Sequence, residues 1–217
     1  LVEFRLKRGN VEVLPLNRSL FHWFNQWAGT SPIGDWIGIF LAKGTPYLFL
    51  FFLFLLHLLS LKRGNFQLWL GTIGAGIGAT LSVLISKGVS LFIQTPRPFA
   101  VEPVHLLFSH TPDNSFPSDH TTFLIGIATP FLLFRLWRVG IPLFLIGVAG
   151  GISRVFAGVH WPLDILGGIG VGLVGGVIGV WILKGVERRV EGVYRWERGV
   201  FEKIFRRFLR GERGKIE

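Results

Sequence analysis

Between Trp36 and Leu183 the sequence runs through five long apolar stretches: Trp36–Leu61, Phe66–Ile93, Asp119–Phe134, Gly140–Gly158 and Pro162–Leu183. A backbone crossing about 30 Å of hydrocarbon must satisfy its own peptide groups, which stretches of this kind do as α-helices. The expected fold is therefore all-α: an integral membrane helical bundle of five transmembrane helices, or six if the segment ahead of Trp36 also crosses. Only 17% of the 217 residues are charged and the mean hydropathy is +0.51, which sets the chain apart from ordinary soluble domains.

The polar residues are distributed to match. Lys62 and Arg63, Arg135 and Arg138, and Lys184, Arg188 and Arg189 all fall on one face of a five-span bundle, the face expected to be cytoplasmic. The loop Gln94–Ser118 and the turn Gly158–Trp161 then lie together on the opposite, external face. Arg5, Lys7, Arg8 and Arg18 run against this count and keep the six-span arrangement open. The net charge of +10 is read as topology and tail, and no nucleic acid is expected as a partner.

Ahead of the first span, "PLNRSLFHWFNQWAG" mixes aromatic and polar residues as an interfacial helix does. The charged residues among Leu1–Leu20 argue against a cleavable secretory signal there. After Leu183 the tail carries 11 Lys and Arg beside Val186, Val190, Val193, Phe201, Ile204, Phe205 and Phe208, a basic amphipathic helix suited to an anionic inner leaflet. In the fifth span Gly168, Gly172 and Gly176, and again Gly175 and Gly179, recur every four residues. Such stripes let helix backbones approach closely, first within the bundle and second in a homodimer. Cysteine is absent, so disulfides and thiolate metal sites do not arise.

Three polar stretches meet on the external face: "TPRPF" at 95–99, "FPSDH" at 116–120 and "SRVFAGVHWPLD" at 153–164. Polar groups next to hydrocarbon are costly, and these are too cation-rich for a metal site. Arg97 and Arg154 offer guanidinium forks for phosphate oxygens. Ser118 is an N-cap, and with the backbone amide of Asp119 and the helix dipole it adds donors for an anion. Asp164 stands four residues after His160, which allows its carboxylate to hold one imidazole nitrogen and leave the other as nucleophile. His120 is the candidate general acid and base. Lys87, Ser90, His105 and His110 are further candidates, whereas His57 reads as a packing residue.

Together these residues resemble the three signature motifs of the type 2 phosphatidic acid phosphatase superfamily. Pro117, Ser118 and His120 match the second motif, and Ser153, Arg154, His160 and Asp164 the third. In the first, the family's lysine seven residues before Arg97 is replaced by Ser90, with Lys87 one turn earlier. That departure, with "TPRPFAVEPVHLLFSH" and "SFPSDHTT", resembles the bacitracin-resistance type of undecaprenyl-diphosphate phosphatase.

The resemblance implies a membrane lipid phosphatase acting through a phosphohistidine, without metal or other cofactor. Undecaprenyl diphosphate is the implied substrate and bilayer lipids the implied surroundings, in a bacterial inner membrane with the site on the periplasmic or extracellular face and the C-terminus cytoplasmic. Residues 1–30 form an interfacial segment, 31–184 a transmembrane phosphatase domain and 185–217 the tail. Phosphatidylglycerophosphate, phosphatidic acid and lipid A phosphates present similar geometry. A non-catalytic lipid-phosphate binding or transport protein would need the cations but not the His160, Asp164 and His120 set.

Overall fold

Ser31, Asn65 and Ser118 each stand one residue ahead of a helix. In each case the side-chain oxygen accepts a first-turn amide, from Gly34, Leu68 and Thr121 respectively, so helices begin where the sequence provides a cap. The structure is a computed structural model that describes residues 14–209. Those residues form α1 (Pro15–Asn25), α2 (Pro32–Arg63), α3 (Phe66–Phe92), α4 (Pro98–Val101), α5 (Asp119–Leu133), α6 (Trp137–Phe156), α7 (Pro162–Gly185) and α8 (Glu187–Leu209). Among the described residues there is no strand. The basic residues of the first eight positions, and Arg210, Arg213 and Lys215 of the tail, lie outside them.

The helices α2, α3, α6 and α7 are long and apolar enough to cross a membrane. At 15 residues α5 reaches only about 22 Å, short of a full crossing. It is instead the central post: Leu124, Ile125, Ala128 and Phe131 are fully buried, and α3, α6 and α7 surround it. Direction alternates from α2 through α3, α5, α6 and α7. Lys62, Arg63, Arg135, Arg138 and Lys184 therefore gather at one end, and the loop before α5 and the turn before α7 meet at the other.

Both glycine stripes of α7 face inward. A Cβ at Gly172 would meet Ile125 and the Thr122 carbonyl of α5, and one at Gly175 would lie 2.5 Å from the Ser82 nitrogen of α3. The stripes thus serve packing within the bundle, as expected of them first, and are covered by α5 and α3.

The flanking helices dock at opposite ends. On α1, Phe21 is buried against Trp161, with ring centroids 5.0 Å apart, and Asn17 Oδ1 accepts the Leu163 amide at the start of α7. On α8, Tyr194 is buried between Phe66 and Trp69, while Glu197 accepts a hydrogen bond from Trp69 Nε1 at 2.7 Å and lies 3.5 Å from His57 Nε2. The tail expected to lie on lipid therefore also packs on protein, because one side of its apolar face meets the ends of α2 and α3. Trp196, Ile204 and Phe208 remain exposed on the rest.

Candidate active site

A short helical N-terminus, a loop and a turn build the site. Pro162 starts α7 at its first position, and the carboxylate of Asp164 turns back over that start. Asp164 Oδ2 accepts the Trp161 amide at 2.8 Å and the Ser115 hydroxyl at 2.5 Å, and faces His160 Nδ1 at 3.2 Å. On the other side of the ring Arg97 Nη1 stands 3.1 Å from His160 Nε2. A guanidinium can only donate, so Nε2 carries the lone pair and Nδ1 the proton, directed at Asp164. Burial first, then the charges of Arg154 and Arg97, hold the imidazole well below its usual value of 6.5.

Arg97 is nearly buried and held from several directions. Nε donates to Asp113 Oδ1 at 2.7 Å, and Nη1 also donates to the Val159 carbonyl at 2.8 Å. Trp161 Nε1 donates to the Pro96 carbonyl at 2.8 Å, which ties the arginine loop to the α7 start. Arg154, at the end of α6, donates through Nη1 to the Ala42 carbonyl and through Nη2 to His110 Nε2 at 2.9 Å. Its buried Nε has no hydrogen-bond partner among the described residues. Burial and then the nearby guanidiniums lower the His110 pKa. Burial is the largest single influence on Asp113 and works upward, but the Arg97 hydrogen bond and charge, with His110, together outweigh it and hold that carboxyl low.

These groups enclose a cavity of about 270 Å³ lined by Arg97, His110, Asp113, His120, Arg154 and His160, with Lys87, Ser90 and Asp119 at its wall. His120 Nε2 lies 2.9 Å from Thr45 Oγ1. Lys87 pairs with the Asp119 carboxylate, which also accepts from Ser86 at 2.6 Å. Ser90 donates to the Phe116 carbonyl. A larger cavity of about 670 Å³ at the α7–α8 junction is bordered by Lys184, Glu187, Arg188 and Glu191, and no histidine converges on it.

The arrangement is a cation-rich pocket with a buried imidazole, bare at Nε2, among its lining residues. Over residues 69–189 the chain matches the family description PAP2 superfamily. The chain belongs to the PAP2 superfamily. It is 38% identical over 115 residues to the undecaprenyl-diphosphatase BcrC of Bacillus subtilis (strain 168), a match that covers 53% of this chain and 59% of that protein's length. It is 34% identical over 169 residues to the putative undecaprenyl-diphosphatase YbjG of Escherichia coli (strain K12), covering 74% of this chain and 79% of that one. Among solved structures it resembles LpxE of Aquifex aeolicus at a TM-score of 0.63 and 27% identity, over 78% of this chain and 98% of that chain.

The PAP2 motif residues Arg97, His120, Arg154 and His160 converge as their order along the chain suggested, and Asp164 stands behind His160. Two candidates stand apart from the cavity lining. Ser118 is 0% exposed, and its hydroxyl accepts from Thr121 at the start of α5. His105 is exposed away from the cavity because Asn25 grips its amide and carbonyl. Sequence reasoning missed Asp113, Asn114 and Ser115. Their signal was a run of polar residues immediately ahead of the second motif.

Proposed function

We propose that this PAP2 protein is a membrane lipid phosphatase that hydrolyses undecaprenyl diphosphate to undecaprenyl phosphate and inorganic phosphate. The observation that carries the reading is the geometry at His160: Nε2 stands 3.1 Å from the Arg97 guanidinium, which can only donate to it, while Nδ1 faces Asp164 at 3.2 Å. Nε2 attacks the terminal phosphorus, forming the P–N bond as the bond to the bridging oxygen breaks. His120 gives its proton to that oxygen, and the lipid monophosphate departs. His120 then takes a proton from water, which attacks the phosphohistidine and returns the electron pair to Nε2 as phosphate leaves. Arg97, Arg154 and the Asp119 amide stabilise the equatorial oxygens throughout.

The substrate class rests on the similarity to BcrC and YbjG and on Ser90 standing where the family carries lysine. In this reading α2, α3, α6 and α7 cross a bacterial plasma membrane, the short α5 with its flanking segments carries the chain back between them, the cavity faces the external side, and α8 lies on the cytoplasmic side. Residues 1–30 are the interfacial segment, 31–184 the phosphatase domain and 185–217 the basic tail.

Phosphate release from a panel of lipid phosphates, with chelator present, tests this. Undecaprenyl diphosphate should turn over faster than phosphatidylglycerophosphate, phosphatidic acid or lipid A, and rapid quench should trap a phosphoenzyme in His120→Ala but none in His160→Ala. A preference for another lipid would overturn the substrate, and binding without turnover would make the protein a carrier rather than an enzyme.

A further inference from the structure

The residues that match the PAP2 description begin at position 69, after α2 has ended. Yet α2 enters the site from the side. Thr45, fully buried, places Oγ1 2.9 Å from His120 Nε2 and 2.8 Å from the Leu41 carbonyl. A threonine hydroxyl has one proton, and the helical carbonyl takes it. The oxygen therefore accepts from His120 Nε2–H, so Nδ1 is the nitrogen left to carry and collect the reacting proton. The next residue, Pro46, lies inside the helix and has no N–H to give the Ala42 carbonyl four residues back. That same carbonyl accepts Arg154 Nη1 at 3.1 Å. Close approach makes both contacts possible: Gly150, one turn before Arg154 on α6, lies against Thr45, where a Cβ would sit 3.0 Å from Oγ1.

We propose that the Thr45-Pro46 step of α2 is a positioning element of the active site, in which Thr45 fixes the tautomer of His120 and the carbonyl freed by Pro46 holds Arg154. The proposal rests on the phosphatase reading above and adds to it two residues that act through His120 and Arg154 without touching the reacting atoms.

The test compares wild-type protein with Thr45→Val, Thr45→Ser and Pro46→Ala on undecaprenyl diphosphate and on an aryl phosphate with a good leaving group. Thr45→Val should lower kcat on the diphosphate by about tenfold or more, part of the roughly 100-fold or greater effect of a positioned acid, and lower it less on the aryl phosphate. KM should stay within about twofold, and Thr45→Ser should recover most of the loss. Pro46→Ala restores a competing N–H and should raise KM by about tenfold while leaving thermal stability intact.

Equal losses on both substrates with no rescue by serine, or wild-type rates in Thr45→Val, would overturn the Thr45 assignment. An unchanged KM in Pro46→Ala would overturn the Arg154 assignment. Nitrogen-15 NMR of labelled histidines reads the tautomer without turnover. A His120 Nε2–H that is lost in Thr45→Val supports the proposal even if no tested lipid is hydrolysed, and a neutral wild-type tautomer with Nε2 bare and the proton on Nδ1 refutes it even if one is.

Discussion

Arg97 acts twice on one imidazole: its N–H faces Nε2, and its charge opposes a proton there. With burial and Arg154 it keeps His160 neutral below the usual 6.5. In the proposed mechanism the neutral form is the nucleophile, and because its pKa is lowered, protonation removes activity only at more acid pH. The acid limb of kcat/KM assigned to His160 should accordingly lie below 6.5, and a pH profile placing it at or above that value would contradict the geometry. Ser115 bears on the same ring through Asp164. Ser115→Ala removes the shortest donor to that carboxylate, and kcat should fall by about tenfold with KM unchanged, because the nucleophile is then less firmly oriented. A rise in KM alone would assign Ser115 to substrate binding. At this scale the motif residues were legible from type and spacing, since few chemistries use arginine, histidine and aspartate in that order. Thr45 was not, because a threonine in an apolar helix reads as ordinary until tertiary structure brings His120 to it. Ser118 was legible as a cap but not as a buried one.

Helix α7 offers a matched pair of substitutions on one element. Gly175→Ala would set a methyl within 2.5 Å of the Ser82 backbone, so α3 and α7 must separate, whereas a Cβ at Gly170 meets nothing within 4 Å. Thermal unfolding in detergent should show Gly175→Ala destabilised by about 1–3 kcal/mol and Gly170→Ala within about 1 kcal/mol of wild type. Equal effects at the two positions would mean that the stripe is not the contact it looks to be. Such stripes, with the cap at Ser118 and the flanking apolar runs, made the elements readable in advance. The docking of α8 was less so, since an apolar helix face has the same pattern whether lipid or Tyr194's neighbours cover it. The shortness of α5 was legible as well, since its apolar run already ends at Phe134, ahead of Arg135.

For the whole molecule, connectivity puts the cavity and the basic clusters at opposite ends, and the absence of cysteine makes that arrangement easy to probe. Thr111→Cys, in the exposed loop over the cavity, should react with a membrane-impermeant maleimide added outside intact cells, and Gly192→Cys on α8 only after lysis. The reverse pattern would invert the proposed orientation. Five apolar segments and their flanking cations made the bundle legible, but the side from which α2 enters the site depends on packing that no local pattern encodes. Beneath the cavity, Leu124, Ile125, Ile127, Ala128 and Phe131 are each no more than 1% exposed, so the floor is closed to water and ions. On the proposed function catalysis there is vectorial: each turnover releases phosphate into the compartment the cavity faces and leaves the shortened headgroup on that same leaflet. A cell that reuses the lipid must then return it across the bilayer by a separate translocation step, and recover the phosphate from outside.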